Sequence, residues 1–400
     1  MSYDVIVAGL GPAGSVAAYT LASRGFKVLG LDKEKFPRYK SCGGCVSVKA
    51  VDIVDFSFMD VVEETVRGAV FTYRSGRPVE IVSDRPAGYS VMRDRFDHLL
   101  MQKAKGAGAC IIDESGARVT SIEDNGGKAA VKTASGKTYT AKFVIGADGA
   151  GGVIGREYFG FSSKMSGVTI TSEIPYDRSA FKEISQKIFV DFGSVPYGYA
   201  WIFPKQNYLS IGVACDSAKA KSRTREYFDA FAASHGLLKG FKVREKTGWT
   251  VPVFYDEGRG VVKGRVLLAG DTGHLVDPFL GEGIYYAMLT GKKAALTVSN
   301  CLSSGTADLT PYQTWLIKEI YPEFKAAEKI ARLVYSYPSL WYSILEKNPN
   351  IMLRYYNVVR GEESCAEFYK WVLSRVRRRP LMMIRRWFSS LLRRFNLFSS

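Results

Sequence analysis

Six residues near the start of the chain have the spacing of a phosphate-binding turn. They form a G-x-G-x-x-G sequence and are Gly9, Leu10, Gly11, Pro12, Ala13 and Gly14. Gly9 permits a tight turn, Gly11 lets a pyrophosphate approach the backbone, and Gly14 lets helix and strand pack closely. Asp32 follows about twenty residues later, where an acid can bind a ribose hydroxyl. The segment therefore predicts a dinucleotide site; the alternative is a glycine-rich turn that binds nothing.

Two later segments favour FAD over NAD as the dinucleotide. Residues 145–149 (I-G-A-D-G) follow a predicted strand, and residues 266–271 (V-L-L-A-G-D) form a buried strand that delivers Asp271 to a turn. The Asp271 carboxylate can accept a hydrogen bond from a ribityl hydroxyl; a helix N-cap is the alternative. Gly283 and Ile284 then open a helix. Its free N–H groups can face the pyrimidine edge of a flavin, which gains negative charge on reduction.

These three segments, in this order, resemble the large FAD family that includes aromatic hydroxylases, flavin halogenases and geranylgeranyl reductases. The resemblance implies FAD as the cofactor. It also implies that Arg93, the first residue of an R-D-R-F-D sequence, helps to hold FAD; the alternative is a solvated helix start. The strand that contains Val119 occupies the place where the family lays backbone against the adenine, so Val119 is a further expected contact.

Two further motifs narrow the family. Residues 36–44 (F-P-R-Y-K-S-C-G-G) resemble the segment after the second strand in geranylgeranyl reductases and some halogenases. Residues 196–204 (P-Y-G-Y-A-W-I-F-P) match the P-x-x-Y-x-W-x-F-P pattern of geranylgeranyl reductases. The resemblance covers about residues 1–300. It implies FAD-dependent reduction of carbon–carbon double bonds in the polyprenyl chain of a lipid.

The second motif also has a physical interpretation of its own. Its aromatic residues are spaced by two, so on a strand they share one face. They are Tyr197, Tyr199, Trp201 and Phe203. Such a face can hold an apolar isoprenoid chain against the flavin; the alternative is an aromatic sheet core without a ligand. Tyr197 and Tyr199 are candidate proton donors because their hydroxyls can reach the cavity. The expected substrate contacts are Pro196, Tyr199, Trp201, Phe203 and Pro204.

The sequence Cys42-Gly43-Gly44-Cys45 has two interpretations. A single C-x-x-C is not a zinc site, because no second ligand pair accompanies it, and we predict no metal. Cys42 and Cys45 can be a catalytic redox pair beside the flavin. Alternatively, they are small residues that let the loop pass close to the isoalloxazine. In the family this loop touches FAD, so the resemblance favours cofactor contacts from Cys42, Gly43 and Cys45.

The formal net charge of the 400-residue chain is +16, and much of it is local. Residues 368–400 contain eight arginines and Lys370 but no acidic residue. This asymmetry predicts a basic C-terminal surface rather than a nucleic-acid-binding protein.

The last segment of the chain has the pattern of an amphipathic helix. Its apolar residues fall on one helical face, and arginines and serines fill the other. The apolar residues are Ile384, Trp387, Phe388, Leu391, Leu392, Phe395 and Phe398. This combination is typical of a helix that lies in a membrane interface. The alternative is a helix packed on the body of the protein.

The elements that must position these motifs can be predicted from periodicity. Residues 3–8 and 27–31 are predicted strands on either side of a helix at 15–24, which makes a β-α-β unit. A helix is expected at 93–105. Further strands are expected at 117–123, 129–133, 138–145 and 264–268, in residues 169–214, and helices mainly from Glu282 onward.

The predicted architecture is α/β, with three parts. A Rossmann-like FAD-binding domain is expected to combine discontinuous segments, and an antiparallel β substrate domain covers the flavin. A helical C-terminal region occupies 301–400. The FAD-binding domain is expected from 1–60, 86–155 and 262–300, and the substrate domain from 61–85 and 156–261.

The uncharged run at residues 5–22 contains three glycines and a proline, which argue against a membrane span. We therefore expect a cytoplasmic protein that associates peripherally with a membrane surface.

The predicted function has two rivals. One is a flavin-dependent monooxygenase or halogenase, although the halogenase pattern W-x-W-x-I-P is absent. The other is a membrane-surface binding protein that keeps FAD structurally. The electron donor is open between ferredoxin and NAD(P)H, because the sequence has no second G-x-G-x-x-G.

Overall fold

The structure is a computed structural model that describes residues 2–378 except 163–165, 217, 244, 256–257 and 259. The strands are β1 (Ser2–Ala8), β2 (Val28–Asp32), β3 (Cys45–Ser47), β4 (Val62–Val66), β5 (Gly68–Tyr73), β6 (Val79–Val82), β7 (Gly88–Val91), β8 (Cys110–Asp113), β9 (Val119–Asp124), β10 (Ala129–Thr133), β11 (Thr138–Gly146), β12 (Gly167–Pro175), β13 (Lys187–Phe192), β14 (Gly198–Pro204), β15 (Tyr208–Cys215), β16 (Thr247–Val251), β17 (Val262–Lys263) and β18 (Val266–Leu268). The helices are α1 (Pro12–Ala22), α2 (Arg93–Gly106), α3 (Thr224–Ser234), α4 (Ile284–Ser304), α5 (Thr310–Trp315), α6 (Tyr321–Ser336), α7 (Pro338–Lys347), α8 (Asn350–Arg360) and α9 (Cys365–Arg378).

The first three elements form the predicted β-α-β unit. β1 and β2 pair in parallel, and α1 begins directly after the glycine turn. Pro12 is favoured at this first helical position because its missing N–H would have no partner there. α1 ends at Ala22, two residues earlier than predicted, and Gly25 with φ +82° turns the chain toward β2. The unit thus aims the start of α1 at the carboxyl ends of the strands.

An eight-stranded sheet is the centre of the cofactor-binding part. Its main order is β17-β18-β11-β1-β2-β8, and β9 and β10 extend from β11. β1 pairs in parallel with β2 and β11, and β11 pairs in parallel with β18. α1 packs against α4, and both contribute to the core that covers this sheet. The three glycine- and aspartate-bearing motifs therefore emerge at one edge of the same sheet.

The second large sheet has seven strands in the order β16-β12-β15-β14-β13-β5-β6. Its pairs are antiparallel except β13 with β5, so the predicted antiparallel sheet is mostly confirmed, with one parallel pair. One face packs on α3, where Ala200 and Ile202 meet Phe228 and Phe231. The opposite face packs on α6 to α9. The sheet therefore carries a cavity wall on one side and an ordinary core on the other.

A three-stranded sheet joins these two parts in the order β3-β7-β4. β4, which the sequence assigned to the substrate domain, pairs here with β7 from the FAD-binding segment. The exact domain boundaries stay a prediction.

The C-terminal region is helical from α5 to α9, as predicted. The amphipathic segment at 384–398 lies outside the described residues. Among the helices of the described chain, none is both long and apolar enough to cross a membrane.

Candidate functional site

One cavity of about 760 Å³ connects the two large sheets and the C-terminal helices. Its volume is within the usual range of cofactor and ligand sites. Its wall contains the cofactor residues predicted from the sequence, apart from Gly14. Those lining residues are Gly9, Gly11, Ala13, Asp32, Cys42, Gly43, Cys45, Arg93, Val119, Asp271, Gly283 and Ile284.

The glycine turn has the geometry of a pyrophosphate cradle. Gly9 has φ +91°, and a Cβ there would lie 2.2 Å from the Ala147 carbonyl oxygen. A Cβ on Gly14 would lie 1.8 Å from the Gly9 carbonyl oxygen, so Gly14 permits close packing beneath the turn. Gly11 instead faces open space, with the Arg38 guanidinium 3.8 Å from a Cβ position. No side chain caps the start of α1, so its N–H groups remain available to phosphate oxygens.

Carboxylates surround the cradle in places that fit sugar hydroxyls. Asp32 accepts hydrogen bonds from the Leu10 and Glu34 amides at 2.7 and 2.9 Å. Its carboxylate keeps acceptor capacity for a further hydroxyl. Asp271 lies in the short turn Gly270–Gly273 directly after β18, as predicted. Asp148, from the 145–149 segment, has a buried Oδ1 without a hydrogen-bond partner. An orphaned buried acceptor beside an open glycine cradle fits a dinucleotide with free hydroxyls.

A buried charge cluster lies beside the cradle. Arg93 donates two hydrogen bonds of 2.8 Å to the two oxygens of Asp97, whose side chain is fully buried. Arg38 approaches the same carboxylate at 3.1 Å. The side chain of Arg93 is only 10% exposed, so the alternative of a solvated helix start is wrong. Two guanidinium groups share one carboxylate, which leaves a net positive charge suited to an anionic cofactor.

Lys40 is a cavity residue that the sequence analysis did not single out. Its ammonium lies 3.4 Å from the centre of the Trp249 ring, at the cavity wall. Burial, helped by the nearby charge of Arg93, lowers the pKa of Lys40 to about 7, although Asp271 acts in the opposite direction. The basic residues within the 36–44 segment were the available signal for Arg38 and Lys40.

The loop at residues 42–45 passes between the cavity and the seven-stranded sheet. A Cβ on Gly43 would lie 2.7 Å from the Phe203 ring, so only glycine fits there. The Gly44 amide donates to the Cys42 sulfur at 3.3 Å. Both cysteines are free thiols, and burial raises the pKa of Cys45 to about 12. A thiol that stays protonated is a poor nucleophile, which favours the interpretation of a close-packed loop.

Three of the four predicted aromatic residues form one continuous surface, here called the aromatic wall: Tyr199, Trp201 and Phe203. Their ring centroids are 5.9 Å apart between Tyr199 and Trp201, and 6.1 Å apart between Trp201 and Phe203. The indole Nε1 of Trp201 is buried without a partner. All three residues line the cavity, next to the 42–45 loop.

The placement of Tyr197 on this strand was wrong. β14 begins at Gly198, so Tyr197 lies just before the strand, with φ +50°. Tyr197 still lines the cavity, with its ring 5.8 Å from that of Tyr335. Pro196 and Pro204 are not among the residues of the cavity wall, and their contact with the substrate stays a prediction. Pro196 accepts a hydrogen bond from Cys215, and Pro204 pairs with Leu209 of β15.

The C-terminal helices supply a further part of the apolar end. Tyr335 of α6 stacks on Tyr199 at 6.4 Å and donates its hydroxyl proton to the Phe279 carbonyl. Tyr355 and Val359 of α8, one helical turn apart, also line the cavity. These residues carry no motif, so no local pattern in the sequence indicated them.

The hydroxyl of Tyr199 already forms a hydrogen bond within the protein. It donates to the Leu280 carbonyl at 2.7 Å, and burial raises the pKa of Tyr199 above its usual value. Asp277 is a buried carboxyl near the same tyrosine, and burial raises its pKa to about 6. It accepts hydrogen bonds from the Phe279 and Leu280 amides at 2.9 and 2.8 Å.

Comparisons with known proteins agree with this site. Residues 2–308 match the model of an FAD binding domain family. A digeranylgeranylglycerophospholipid reductase of Methanosarcina acetivorans is 31% identical over 323 residues, which cover 77% of each chain. A geranylgeranyl diphosphate reductase of Rhodobacter capsulatus is 31% identical over 339 residues, 81% of this chain and 82% of that protein.

Solved structures share the fold. A geranylgeranyl bacteriochlorophyll reductase-like protein of Thermoplasma acidophilum has a TM-score of 0.72 at 23% identity, over 82% of this chain and 87% of its own. A flavin-dependent brominase has a TM-score of 0.70 at 19% identity, over 94% of this chain and 100% of its own. The protein therefore binds FAD and is an oxidoreductase. The family match, the similarity to these relatives and the open glycine cradle agree, and the chain belongs to the geranylgeranyl reductase family of FAD-dependent oxidoreductases.

Proposed function

We propose that this protein reduces carbon–carbon double bonds in the polyprenyl, geranylgeranyl-type chain of a lipid. The observation that carries the proposal is the aromatic wall, which continues directly from the 42–45 loop into the apolar end of the FAD cavity. The relatives' names, which specify geranylgeranyl substrates, support the same chemistry. An apolar chain gains free energy when it leaves water for such a surface, about 25 cal/mol for each Å² that is buried.

The chain's own residues would orient the alkene and exclude water. When bound and reduced, FAD supplies the hydride that an unactivated double bond needs. The aromatic wall and Tyr335, which stacks on Tyr199, form adjoining parts of the apolar end. A chain confined against them meets the cofactor in a restricted set of positions, which lowers the entropy that must be lost in the reaction.

The second carbon of the alkene needs a proton, and Tyr197 and Tyr199 remain the candidates predicted from the motif. Tyr199 is the weaker candidate because its proton is donated to Leu280 and burial raises its pKa. Asp277 is an additional candidate reservoir, since a carboxyl with a pKa of about 6 is partly protonated near neutral pH.

The electron donor and the role of the cysteines belong to the same proposal. Ferredoxin or NAD(P)H would reduce the bound FAD. If Cys42 and Cys45 relay these electrons, a double replacement by serine should block reduction by the physiological donor while dithionite still reduces the flavin. We expect instead that the double variant keeps substantial activity, because the buried Cys45 thiol stays protonated.

We also propose that the protein works at a membrane surface, where a polyprenyl lipid is found. The basic, acid-free run at 368–400 supports this location. Truncation after Arg379 should abolish co-sedimentation with anionic vesicles and leave the FAD content unchanged. Vesicle binding as strong as that of the full chain would exclude the tail as the anchor, and loss of FAD would indicate that it packs on the protein.

One comparison of conditions distinguishes the reductase from its rivals. The protein is supplied with dithionite and a geranylgeranyl lipid without oxygen, and separately with a reductant, oxygen, halide and an aromatic substrate. We expect saturated lipid products in the first mixture and no halogenated or hydroxylated product in the second. The reverse pattern would identify a monooxygenase or halogenase, and no product in either would favour a binding protein.

A further inference from the structure

Lys205 follows directly after β14 and is one of the most deeply buried charged residues described, with 1% exposure. It continues the period-two series of the aromatic wall, two residues beyond Phe203. Both side chains reach the same loop, because Phe203 touches Gly43 while the Lys205 ammonium donates to the Gly43 carbonyl at 2.9 Å. One strand face therefore carries both the wall and a contact to the loop at the cofactor.

The ammonium of Lys205 holds the loop at two places. Its second hydrogen bond, of 2.6 Å, goes to the Val91 carbonyl, and the Val91 amide in turn donates to the Gly44 carbonyl at 2.8 Å. Gly44 has φ +70°, and a Cβ there would lie 2.6 Å from the Lys205 ammonium. The loop backbone is thus fitted around this one cation.

The contact reaches Cys42 through a single peptide group. In a trans peptide the C=O and the following N–H point in opposite directions. The Gly43 carbonyl accepts from Lys205, and the Gly44 N–H on the other side donates to the Cys42 sulfur at 3.3 Å. A cation on the carbonyl polarises the peptide and makes its N–H a stronger donor to sulfur.

The positive charge of Lys205 is itself informative. Removing an ammonium from water costs several kcal/mol, and only a good set of partners offsets it. Burial lowers the pKa of Lys205, while the charges of Glu173 and Glu63 oppose this shift from farther away. In the described part of the chain, no carboxylate oxygen is within ion-pair distance of Lys205. A methionine would fill the same space without this cost. A lysine here therefore indicates that the charge is used.

We propose that Lys205 is a positioning residue for the 42–45 loop: its buried ammonium fixes the loop backbone and polarises the peptide that contacts Cys42. This inference rests on the proposed role of the loop as part of the flavin site. The charge lies behind the loop that lines the cavity, and a positive potential there would favour the more negative, reduced form of a bound flavin.

The test uses the FAD-loaded full-length protein and three variants of Lys205. Lys205→Arg keeps the charge, Lys205→Gln keeps an N–H donor without the charge, and Lys205→Met keeps neither. Lys187→Met is the control, because Lys187 is a partly buried lysine of β13 that pairs with Glu80 instead. The first measurement is the flavin midpoint potential. The second is the rate of Cys42 alkylation by iodoacetamide at a fixed pH, with the modified cysteine located by peptide mass spectrometry.

We expect Lys205→Met to lower the reduced-to-oxidised flavin ratio at fixed potential on the order of tenfold, about 30 mV for a two-electron couple. Alkylation of Cys42 at a fixed pH should be slower, since its sulfur loses a polarised donor. The midpoint potential and the Cys42 alkylation of Lys205→Gln should be intermediate between those of Lys205→Met and Lys205→Arg. If Lys205→Met does not fold, Lys205→Gln replaces it in the test. Cys42 interacts electrostatically with six titratable or charged groups: Tyr39, Lys40, Cys45, Arg93, Tyr199 and Lys205.

The proposal is overturned if Lys205→Met and Lys205→Gln both match the wild type and Lys187→Met in potential and in alkylation. Neither measurement uses a lipid. Failure of the proposed reductase function is therefore distinguishable from failure of this proposal.

Discussion

The end of the cavity where we expect FAD to bind, here called the FAD end, is built from backbone and charge, whereas the far end is built from aromatic rings. At the FAD end, Gly9, Gly11 and Gly14 shape the turn, and Asp32 and Arg93 place charges around it. At the far end, the aromatic wall adjoins Tyr335, and Tyr355 and Val359 line the same cavity. This difference indicates that the FAD end is suited to one polar molecule in a fixed position, while the far end is an apolar surface that can adapt to its ligand. A defect at the first end should remove the cofactor, and a defect at the second should spare it.

The largest expected effect is at the FAD end. Gly11→Leu should fold, because Gly11 has ordinary φ and open space around its Cβ position, but the side chain fills the path of the pyrophosphate. We expect FAD affinity to fall on the order of 1000-fold, about 4 kcal/mol. Flavin absorbance of the purified protein and titration of the FAD-free protein measure it. Gly106→Leu, at another glycine with open space, is the control and should retain FAD. Full FAD occupancy in Gly11→Leu would mean that the cofactor lies elsewhere.

The next effect sharpens the comparison from the apolar end. Trp201→Ala should lower kcat/KM for a geranylgeranyl lipid on the order of 100-fold, about 2.7 kcal/mol, because a central part of the aromatic wall is removed. FAD content should stay close to that of the wild type. Trp201→Phe keeps a ring in place and should lose far less activity. Equal activity in Trp201→Ala and the wild type would indicate that the aromatic wall is an ordinary sheet core without a ligand.

The sequence predicts a site residue well when its role depends on its neighbours in the chain, and poorly when its role depends on tertiary contacts. Gly9, Gly14 and Asp271 were predictable because a turn or a strand end dictates the role of each. Tyr197 was misplaced because the period-two pattern does not reveal a left-handed residue before the strand. Tyr335 and Tyr355 were missed because they meet the wall only through tertiary packing.

A smaller effect concerns the length of the apolar end. Val359→Trp should shorten the space beside α8, and we expect turnover of a geranylgeranyl chain to fall about tenfold, or 1.4 kcal/mol. A chain half as long should be affected much less. Val359→Ala is the reciprocal variant, and it should not discriminate against the longer chain. An equal loss with short and long chains in Val359→Trp would show that this residue does not limit chain length.

The smallest effect depends on pH and tests the charge at the FAD end. In the FAD-free protein burial lowers the pKa of Lys40 to about 7, and a bound pyrophosphate should raise it. Well below pH 7 Lys40 is charged in both states, so affinity is constant there. Above pH 7 binding must take up a proton, and FAD affinity should fall about fivefold between pH 7 and pH 8.

Calorimetric titration of the FAD-free protein across this range measures the dependence on pH. Lys40→Met should flatten it, whereas the control Lys35→Met, at an exposed lysine paired with Asp113, should preserve it. The same slope in Lys40→Met would exclude Lys40 as its source.

The most direct measurement is a single turnover without oxygen. The bound FAD is reduced with one equivalent of dithionite, a geranylgeranyl lipid is added, and flavin absorbance and lipid mass are followed together. We predict reoxidation of the flavin with a gain of two hydrogen atoms in the lipid for each flavin oxidised, fast in the wild type and slow in Trp201→Ala. Flavin that stays reduced beside lipid of unchanged mass would contradict a cavity that brings a polyprenyl chain to FAD.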